Sequence, residues 1–138
     1  MNKVRPYSKV LERLRKAGLR PTRQRLALAK MLLENGNRHF SAEMLHAEAL
    51  SSSVRVSLAT VYNTLHQFTI AGLIREIYVD SSRSYFDTNT SKHHHFFHED
   101  TAQLEDIPDD QIIVAKTPDP PAGTMLKSVD VVVRVSAS

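Results

Sequence analysis

Four segments in the first half of the chain repeat apolar side chains at helical spacing. In the first, Val10, Leu11 and Leu14 lie on one face, Ser8 can cap the helix, and Gly18 suits the position just after its end. The caps of the other three segments are Thr22, Ser41 and Ser57, and their ends are marked by Gly36, the turn Ser51–Ser53 and Gly72. The pattern therefore predicts four α-helices.

Each predicted helix buries one face. The inward positions of the second and third helices are Leu26, Leu28, Met31, Leu32 and Leu33, and then Leu45, Ala49 and Leu50. The fourth helix has the most regular apolar stripe, formed by Leu58, Val61, Leu65 and Phe68. Its opposite face is small, polar and free of acids, and carries Ala59, Thr60, Asn63 and Gln67, with Tyr62 at the flank. Such a face suits base edges in a major groove, although an ordinary amphipathic surface helix has the same pattern.

Two strand-like runs follow the fourth helix, at Leu73–Val79 and Ser84–Asp87, and Asp80–Arg83 is the predicted turn of a hairpin. Helices followed by a hairpin are typical of a winged helix-turn-helix. The next segment, Thr88–Lys92, is short, polar and free of apolar residues, which indicates a hinge. We therefore predict a winged-helix DNA-binding domain at residues 1–87, a hinge at 88–92 and a second domain at 93–138.

The second domain is predicted to be rich in strands. The predicted strands are His93–His98, Gln103–Ile107, Gln111–Ala115 and Ser128–Val135. The last of them is nearly apolar on both faces from Val129 to Val135, as expected of a strand buried on both sides. A sheet this small buries such a strand most easily against a second subunit.

Charge is distributed unevenly along the chain. Residues 1–80 hold thirteen Lys or Arg against six Asp or Glu, whereas residues 81–138 hold five against nine. Among the first thirty residues, ten are basic and one is acidic. A basic first half followed by an acidic second half favours a module that binds a polyanion, although solvated helix faces also carry runs of charge.

Composition excludes several classes of protein. Cysteine is absent, which removes disulfides and cysteine-bound zinc, so that a metal site must use His, Asp and Glu. No apolar run approaches a membrane span, and Met1–Arg5 lacks the apolar stretch of a signal peptide. The expected location is therefore the cytoplasm. Motifs for a nucleophile elbow, a zinc-protease helix or a phosphate loop are missing, which argues against an enzyme.

Four of the seven histidines lie in the segment His93–His98, which also contains Phe96 and Phe97. Imidazole is a common ligand for transition metals and for haem iron. In a strand, His93 and His95 point to one face and His94 to the other. A solvated polar loop or an expression tag has a similar composition, but this cluster is internal and continues into aromatic residues.

Five motifs in register resemble the ferric uptake regulator family, between about Tyr7 and Asp106. These motifs are Gly18–Arg25, His39–Glu43, Ser57–Tyr62, Gly72–Ile74 and the histidine cluster. The block His93–Asp100 in a chain without cysteine looks most like the iron response regulator branch, which is described as haem-sensing. The resemblance implies an α+β protein, with an N-terminal winged helix-turn-helix followed by a small α/β dimerisation domain that also senses the effector.

The same resemblance implies a homodimeric repressor of iron- and haem-related genes that binds palindromic, AT-rich double-stranded DNA. The fourth helix would enter the major groove, and Arg20 would approach the minor groove. The residues assigned to the major groove are Ser57, Thr60, Tyr62 and Asn63. Many relatives carry Arg where this chain has Asn63, which leaves the base preference open.

The family's regulatory metal site also maps onto the chain. Its ligand positions are occupied by His39, Asp87, His93 and His95, with Asp106 at a fifth position used by peroxide-sensing relatives. Such a donor set suits Zn²⁺, Mn²⁺ or Fe²⁺, and an ion bound by both domains would fix the hinge. Taken singly, His39 is more often a cap or surface residue, and Asp87 a strand-end carboxylate.

The resemblance breaks down at two other metal positions. His98 and Thr101 stand where the family has the first cysteine pair of its structural zinc site, so that zinc is predicted to be absent. No histidine follows His98, so His94 lacks its usual partners in a further site and is available for another ligand. Haem binding is therefore predicted at His93, His94 and His95, although the neighbouring phenylalanines also suit a sheet core.

The preferred interpretation is a regulator that binds operators while iron is scarce and releases them when haem binds. Within the same family, a repressor activated by divalent metal and a peroxide sensor are the alternatives. A haem or metal carrier is the candidate from a different class. Strong, salt-dependent retention on random DNA would favour the regulator over the carrier.

Overall fold

The computed structural model describes residues 8–34 and 36–138, which divide at Thr90 and Ser91 into two compact units. The helices of the first unit are α1 (Ser8–Lys16), α2 (Arg23–Leu33), α3 (Ala42–Ser51) and α4 (Leu58–Ile70), and its strands are β1 (His39–Phe40), β2 (Arg75–Asp80) and β3 (Arg83–Asp87). The four predicted helices are therefore confirmed, except that Ser8 is the first residue of α1 and not its cap.

Side-chain caps start three of these helices. The hydroxyls of Thr22, Ser41 and Ser57 each accept a hydrogen bond from the backbone N–H three residues later, at 3.1, 3.2 and 3.1 Å. Gly18 and Gly72, with φ of 78° and 80°, follow the last turns of α1 and α4. At these glycines the chain reverses in the left-handed conformation that glycine adopts without strain.

The helices of the first unit enclose an apolar core. Leu14, Leu28, Leu45, Leu65 and Phe68 are fully buried, one or more from each helix. The prediction that Leu50 faces inward is wrong, because its side chain is 57% exposed. Leu50 lies about 140° around the helix from Leu45, since each residue advances about 100°.

A three-stranded antiparallel sheet completes the first unit, in the order β1-β3-β2. The predicted hairpin is β2–β3, and its turn is held by Asp80, whose carboxylate accepts from Ser82 and Arg83. These hydrogen bonds hold the pKa of Asp80 well below its usual range. The strand β1 was not predicted; it pairs His39 with Asp87 across the ladder.

The second unit is a sheet of β4 (His94–His98), β5 (Gln103–Ile107) and β6 (Val132–Val135), in the order β5-β4-β6. β4 runs antiparallel to β5 and parallel to β6. Throughout Ser91–Ser138 the one helical element is the short 3-10 turn Asp109–Gln111. With the helices and sheet of the first unit, this gives the α+β class that the sequence predicted.

Two strand predictions in the second unit need correction. Gln111–Ala115 is not a strand, and its Ile113 side chain is 86% exposed. The strand predicted at Ser128–Val135 is confined to Val132–Val135, and its apolar side chains are only half-buried. The apolar run in each segment favours extended backbone, but a strand also needs a neighbour with which to pair.

Within the described residues, every helix is too short or too polar to cross a membrane. The Met1–Arg5 segment, on which the prediction of no signal peptide depends, lies outside those residues.

Candidate metal centre and nucleic-acid interface

Two side chains that could ligate a metal lie at the β1–β3 ladder of the first unit. His39 Nε2 lies 3.1 Å from Asp87 Oδ2, because the two residues face each other in register. The other oxygen of Asp87 accepts from the backbone N–H of Asn89 at 2.8 Å. The Asp87 side chain is 1% exposed, so its negative charge needs a nearby proton or cation.

The second unit holds three more such side chains at the start of its sheet. Asp106 Oδ1 lies 3.0 Å from His93 Nε2 and 3.3 Å from His95 Nε2. The β4–β5 register places His95 opposite Asp106, and the rings of His93 and His95 are 4.5 Å apart. The ligand atoms of these three residues all lie within 4.8 Å of one another. One small ion can therefore contact all three.

The hydrogen bonds of His93 define which of its nitrogens can bind an ion. Its Nδ1 lies 2.6 Å from the carbonyl oxygen of Ser91, and a carbonyl only accepts, so Nδ1 carries the proton. Nε2 is then the nitrogen that faces the carboxylate of Asp106. A proton on Nε2 or a cation between Nε2 and Oδ1 would suit the arrangement. A backbone acceptor on the far nitrogen is also the usual support of a metal-bound histidine.

In His94 the Nδ1 atom accepts a hydrogen bond, whereas in His93 it donates one. The Nδ1 of His94 accepts a hydrogen bond from the backbone N–H of Val131 at 3.1 Å, so the proton of the neutral ring is on Nε2. The ring is 4% exposed, and its hydrogen bond joins β4 to Val131, the residue just before β6. Of the two neighbouring phenylalanines, Phe97 is fully buried as sheet core and Phe96 is half-buried. Of the predicted haem ligands, His93 carries a proton on Nδ1, as a histidine bound through Nε2 does, whereas the proton of the neutral His94 ring is on Nε2.

The five predicted metal ligands thus form two sets, one in each unit. His39 and Asp87 belong to the first unit, and His93, His95 and Asp106 to the second. That a single ion is bound by both sets stays a prediction.

An ion pair supports the chain beside His39. Arg38 donates two hydrogen bonds to Glu48, at 2.8 and 2.7 Å, and its backbone pairs with Thr88. The hydrogen bonds from Arg38 lower the pKa of Glu48, and the carboxylate in turn raises the pKa of Arg38. The pair therefore ties α3 to the segment that leads into β1.

The predicted DNA-contacting face of α4 is partly engaged in bonds of its own. The Ser57 hydroxyl caps the helix and donates to the hydroxyl of Thr60 at 3.0 Å. The Tyr62 hydroxyl donates to the carboxylate of Glu43 on α3, which raises the pKa of Tyr62. Asn63 is exposed, and the Tyr62 side chain is 41% exposed. The ring of Tyr62 is thus held in one orientation at the surface.

Arg20 lies at an open groove of about 370 Å³ between the start of α2 and the face of α4. The lining residues are Arg20, Thr22, Gln24, Arg25, Thr60, Asn63, Thr64 and Gln67. Two arginines and several amide and hydroxyl groups make this groove basic and polar. Three of the five predicted DNA contacts, Arg20, Thr60 and Asn63, therefore share one concave surface.

Sequence reasoning placed Gln67 on the polar face of α4 but did not identify the bonds that Glu43, Arg25 and Gln67 make at this surface. Each of the three acts through a partner far along the chain, and helical periodicity carries no signal for such pairs.

Comparison with known proteins then identifies the family. The model of the ferric uptake regulator family matches residues 16–133. The chain belongs to this family. It is 36% identical to the ferric uptake regulation protein of Shigella flexneri over 100 residues, which cover 72% of this chain and 68% of that protein.

Solved structures of the family resemble the chain over most of its length. The ferric uptake regulator of Pseudomonas aeruginosa with manganese is 31% identical and has a TM-score of 0.69, over 91% of this chain and 96% of that one. The Vibrio cholerae regulator is 26% identical and has a TM-score of 0.74, over 93% and 99%. Ferric uptake regulators are dimeric, metal-responsive transcription factors that bind DNA, and they are not enzymes. The membership thus confirms the predicted class of regulator.

Proposed function

We propose that the chain represses transcription by binding a palindromic operator as a homodimer, and that one divalent ion controls this binding. The proposed ligands of the ion are His39, Asp87, His93, His95 and Asp106. The observation that carries the proposal is the cluster in the second unit, where Nε2 of His93 and Nε2 of His95 lie 3.0 and 3.3 Å from Asp106 Oδ1 and Nδ1 of His93 is engaged by the Ser91 carbonyl. Imidazole and carboxylate donors without thiolate suit Zn²⁺, Mn²⁺ or Fe²⁺.

The proposed control acts through the hinge at residues 88–92, between a DNA-binding domain at 1–87 and a dimerisation and sensing domain at 93–138. An ion bound by residues of both domains favours one arrangement of the hinge. In a dimer, this arrangement sets the distance between two recognition helices on a palindrome. The ion shifts the equilibrium only by its differential affinity for the two arrangements.

Metal titration of operator binding tests this control. The protein is stripped with a chelator and then titrated with Mn²⁺, Fe²⁺ and Zn²⁺ on a duplex that it has selected from a random library. We expect binding to be lost with the chelator and restored by metal. Asp106→Asn should prevent the recovery, whereas Asp110→Asn, an exposed carboxylate of the same unit, should not. Equal DNA affinity with and without metal would refute the proposal.

For operator recognition, we propose that α4 enters the major groove and that Arg20 approaches the minor groove. The proposed base contacts come from Ser57, Thr60, Tyr62 and Asn63. This is supported by the exposed ring and amide of Tyr62 and Asn63 and by the basic groove at Arg20. Asn63→Ala should reduce preference for the selected duplex over random DNA, whereas Arg20→Ala should also reduce the salt dependence of binding.

A second candidate is control by haem, as in the iron response regulator branch, through His93, His94 and His95. Its proposed link to the fold is the bond between His94 and Val131, because ligation through Nε2 would move the ring proton to Nδ1 and break that bond. Haem would then release β6 and disturb the regulatory ligands beside it, so that the operator is released. A Soret band without loss of DNA binding would refute this candidate.

A further inference from the structure

Arg25 connects the recognition helix to the backbone of Arg20. Its Nε and Nη2 donate to the side-chain oxygen of Gln67 on α4 at 3.2 and 2.7 Å. Its Nη1 donates to the carbonyl oxygen of Arg20 at 2.7 Å. All three bonds lie in the first unit and border the groove between α2 and α4.

The planar guanidinium makes this connection stiff. Its N–H groups form a rigid fork, so two bonds to one oxygen and a third to a carbonyl fix the plane of the guanidinium group. A lysine has a single point charge on a flexible stem and cannot reproduce the three bonds together. The acceptor role of Gln67 also fixes its amide, because the oxygen must face Arg25 and the NH₂ group must then face away.

We propose that Gln67 is a positioning residue for DNA selectivity, which holds Arg20 in place relative to α4 through Arg25. This inference rests on the proposed operator binding and extends it to two residues that the predicted contact set leaves out. Arg20 itself is exposed, and a long exposed side chain loses entropy when it contacts DNA. The bond to the Arg20 carbonyl restricts the backbone from which that side chain extends. Fewer conformations are then lost when the side chain contacts DNA.

A double-mutant cycle tests the inference. The duplex that the wild-type protein selects from a random library is the probe, with Mn²⁺ held constant and a random duplex as reference. The variants are Gln67→Ala, Arg20→Ala, their combination and Arg25→Lys. The matched control is Gln111→Ala, an exposed glutamine of the second unit that lies outside the groove and outside the Arg25 bonds.

We expect Gln67→Ala and Arg25→Lys each to weaken binding to the selected duplex by about tenfold, with little change on random DNA. In the Arg20→Ala background, Gln67→Ala should change affinity by less than about twofold, because its effect passes through Arg20. Thermal unfolding should be unchanged in both variants, and Gln111→Ala should leave selectivity as in the wild type.

An equal loss from Gln67→Ala with and without Arg20 would overturn the inference, because Gln67 would then contact DNA directly. A loss that follows thermal stability on both duplexes would also overturn it. If Gln67→Ala fails to fold, Arg25→Lys gives the same comparison. Failure of the wild-type protein to select any duplex would instead refute the proposed operator binding, which separates the two failures.

Discussion

The interiors of the two units differ in chemistry. In the first unit, leucine, valine, isoleucine and phenylalanine side chains from four helices and a sheet fill the core. In the second, the buried apolar side chains are Phe97 and Ile107, and the buried histidines are His93, His94 and His95. The first unit therefore gains stability from hydrophobic burial, whereas the second depends on partners for its imidazoles.

The difference in chemistry implies a difference in response to ligands. Each fully buried large apolar side chain contributes about 1.5–3 kcal/mol, and no ion alters this contribution. A buried polar ring without a partner costs free energy, so its protons and ligands decide whether it stabilises the fold. The response to an ion is thus expected at the buried histidines of the second unit and at the His39–Asp87 pair of the first, and not in the apolar core.

The largest effect should come from the apolar core. Phe68→Ala removes a fully buried ring and should lower the free energy of unfolding of the first unit by about 3–5 kcal/mol. Denaturant unfolding combined with hydrogen exchange would measure the loss of unfolding free energy in each unit separately. Tyr78→Ala, at a side chain 72% exposed, is the control and should change little. Equal losses in the two variants would contradict an apolar core as the source of stability.

Metal should have the next largest effect, and in the second unit. At an ion concentration of about one hundred times Kd, the gain in unfolding free energy is about 2.7 kcal/mol. Hydrogen exchange of the β4 amides should slow accordingly. Asp106→Asn should abolish the gain, and Asp110→Asn should preserve it. The same gain in Asp106→Asn would show that the stabilising ion binds elsewhere.

His94 should matter for stability rather than for ion affinity. His94→Ala leaves the backbone N–H of Val131 without its acceptor and should cost about 1–3 kcal/mol in the second unit. Affinity for Mn²⁺, measured by calorimetry, should change little. His94→Asn restores an acceptor oxygen and should recover part of the stability. A loss of Mn²⁺ binding in both variants would make His94 a ligand.

The smallest effect concerns pH and the first unit. The lowered pKa of Glu48 means that its pair with Arg38 stabilises the fold above the ordinary value of 4.5 and is lost as pH falls through the lowered pKa. The pair is partly exposed, so its contribution should be about 0.2–1 kcal/mol. Glu48→Gln should therefore reduce stability near neutral pH and match the wild type in acid, as measured by urea unfolding. A constant difference at all pH values would contradict this origin.

Much of the fold could be predicted because local signals decide it. The caps Thr22, Ser41 and Ser57 and the apolar stripe of α4 gave the helices, and the polar turn at Asp80–Arg83 gave the hairpin. The errors in the strands occur where pairing with a neighbouring strand decides the structure. β1 has two residues and exists because β3 lies beside it, whereas Gln111–Ala115 has strand-like residues and no neighbour.

The candidate site shows the same limit. Residue types and the family resemblance predicted the five ligand positions, and alternation along the predicted strand His93–His98 separated His94 from His93 and His95. The tautomers could not be predicted, because they depend on the Ser91 carbonyl and the Val131 N–H. The bonds of Arg25 could not be predicted either, because Gln67 lies far along the chain and each residue alone looks like an ordinary surface group.

The parallel pairing of β4 with β6 implies an order of assembly. β4 and β5 are joined by the short turn Glu99–Ala102, but β6 arrives only after the long proline-containing segment 108–131. Closing a long loop costs more chain entropy than closing a tight turn. The β4–β5 hairpin should therefore form first, and β6 should pair with β4 last. His93, His95 and Asp106 all belong to that early hairpin. A newly synthesised chain would thus be able to capture its ion before the sheet is complete.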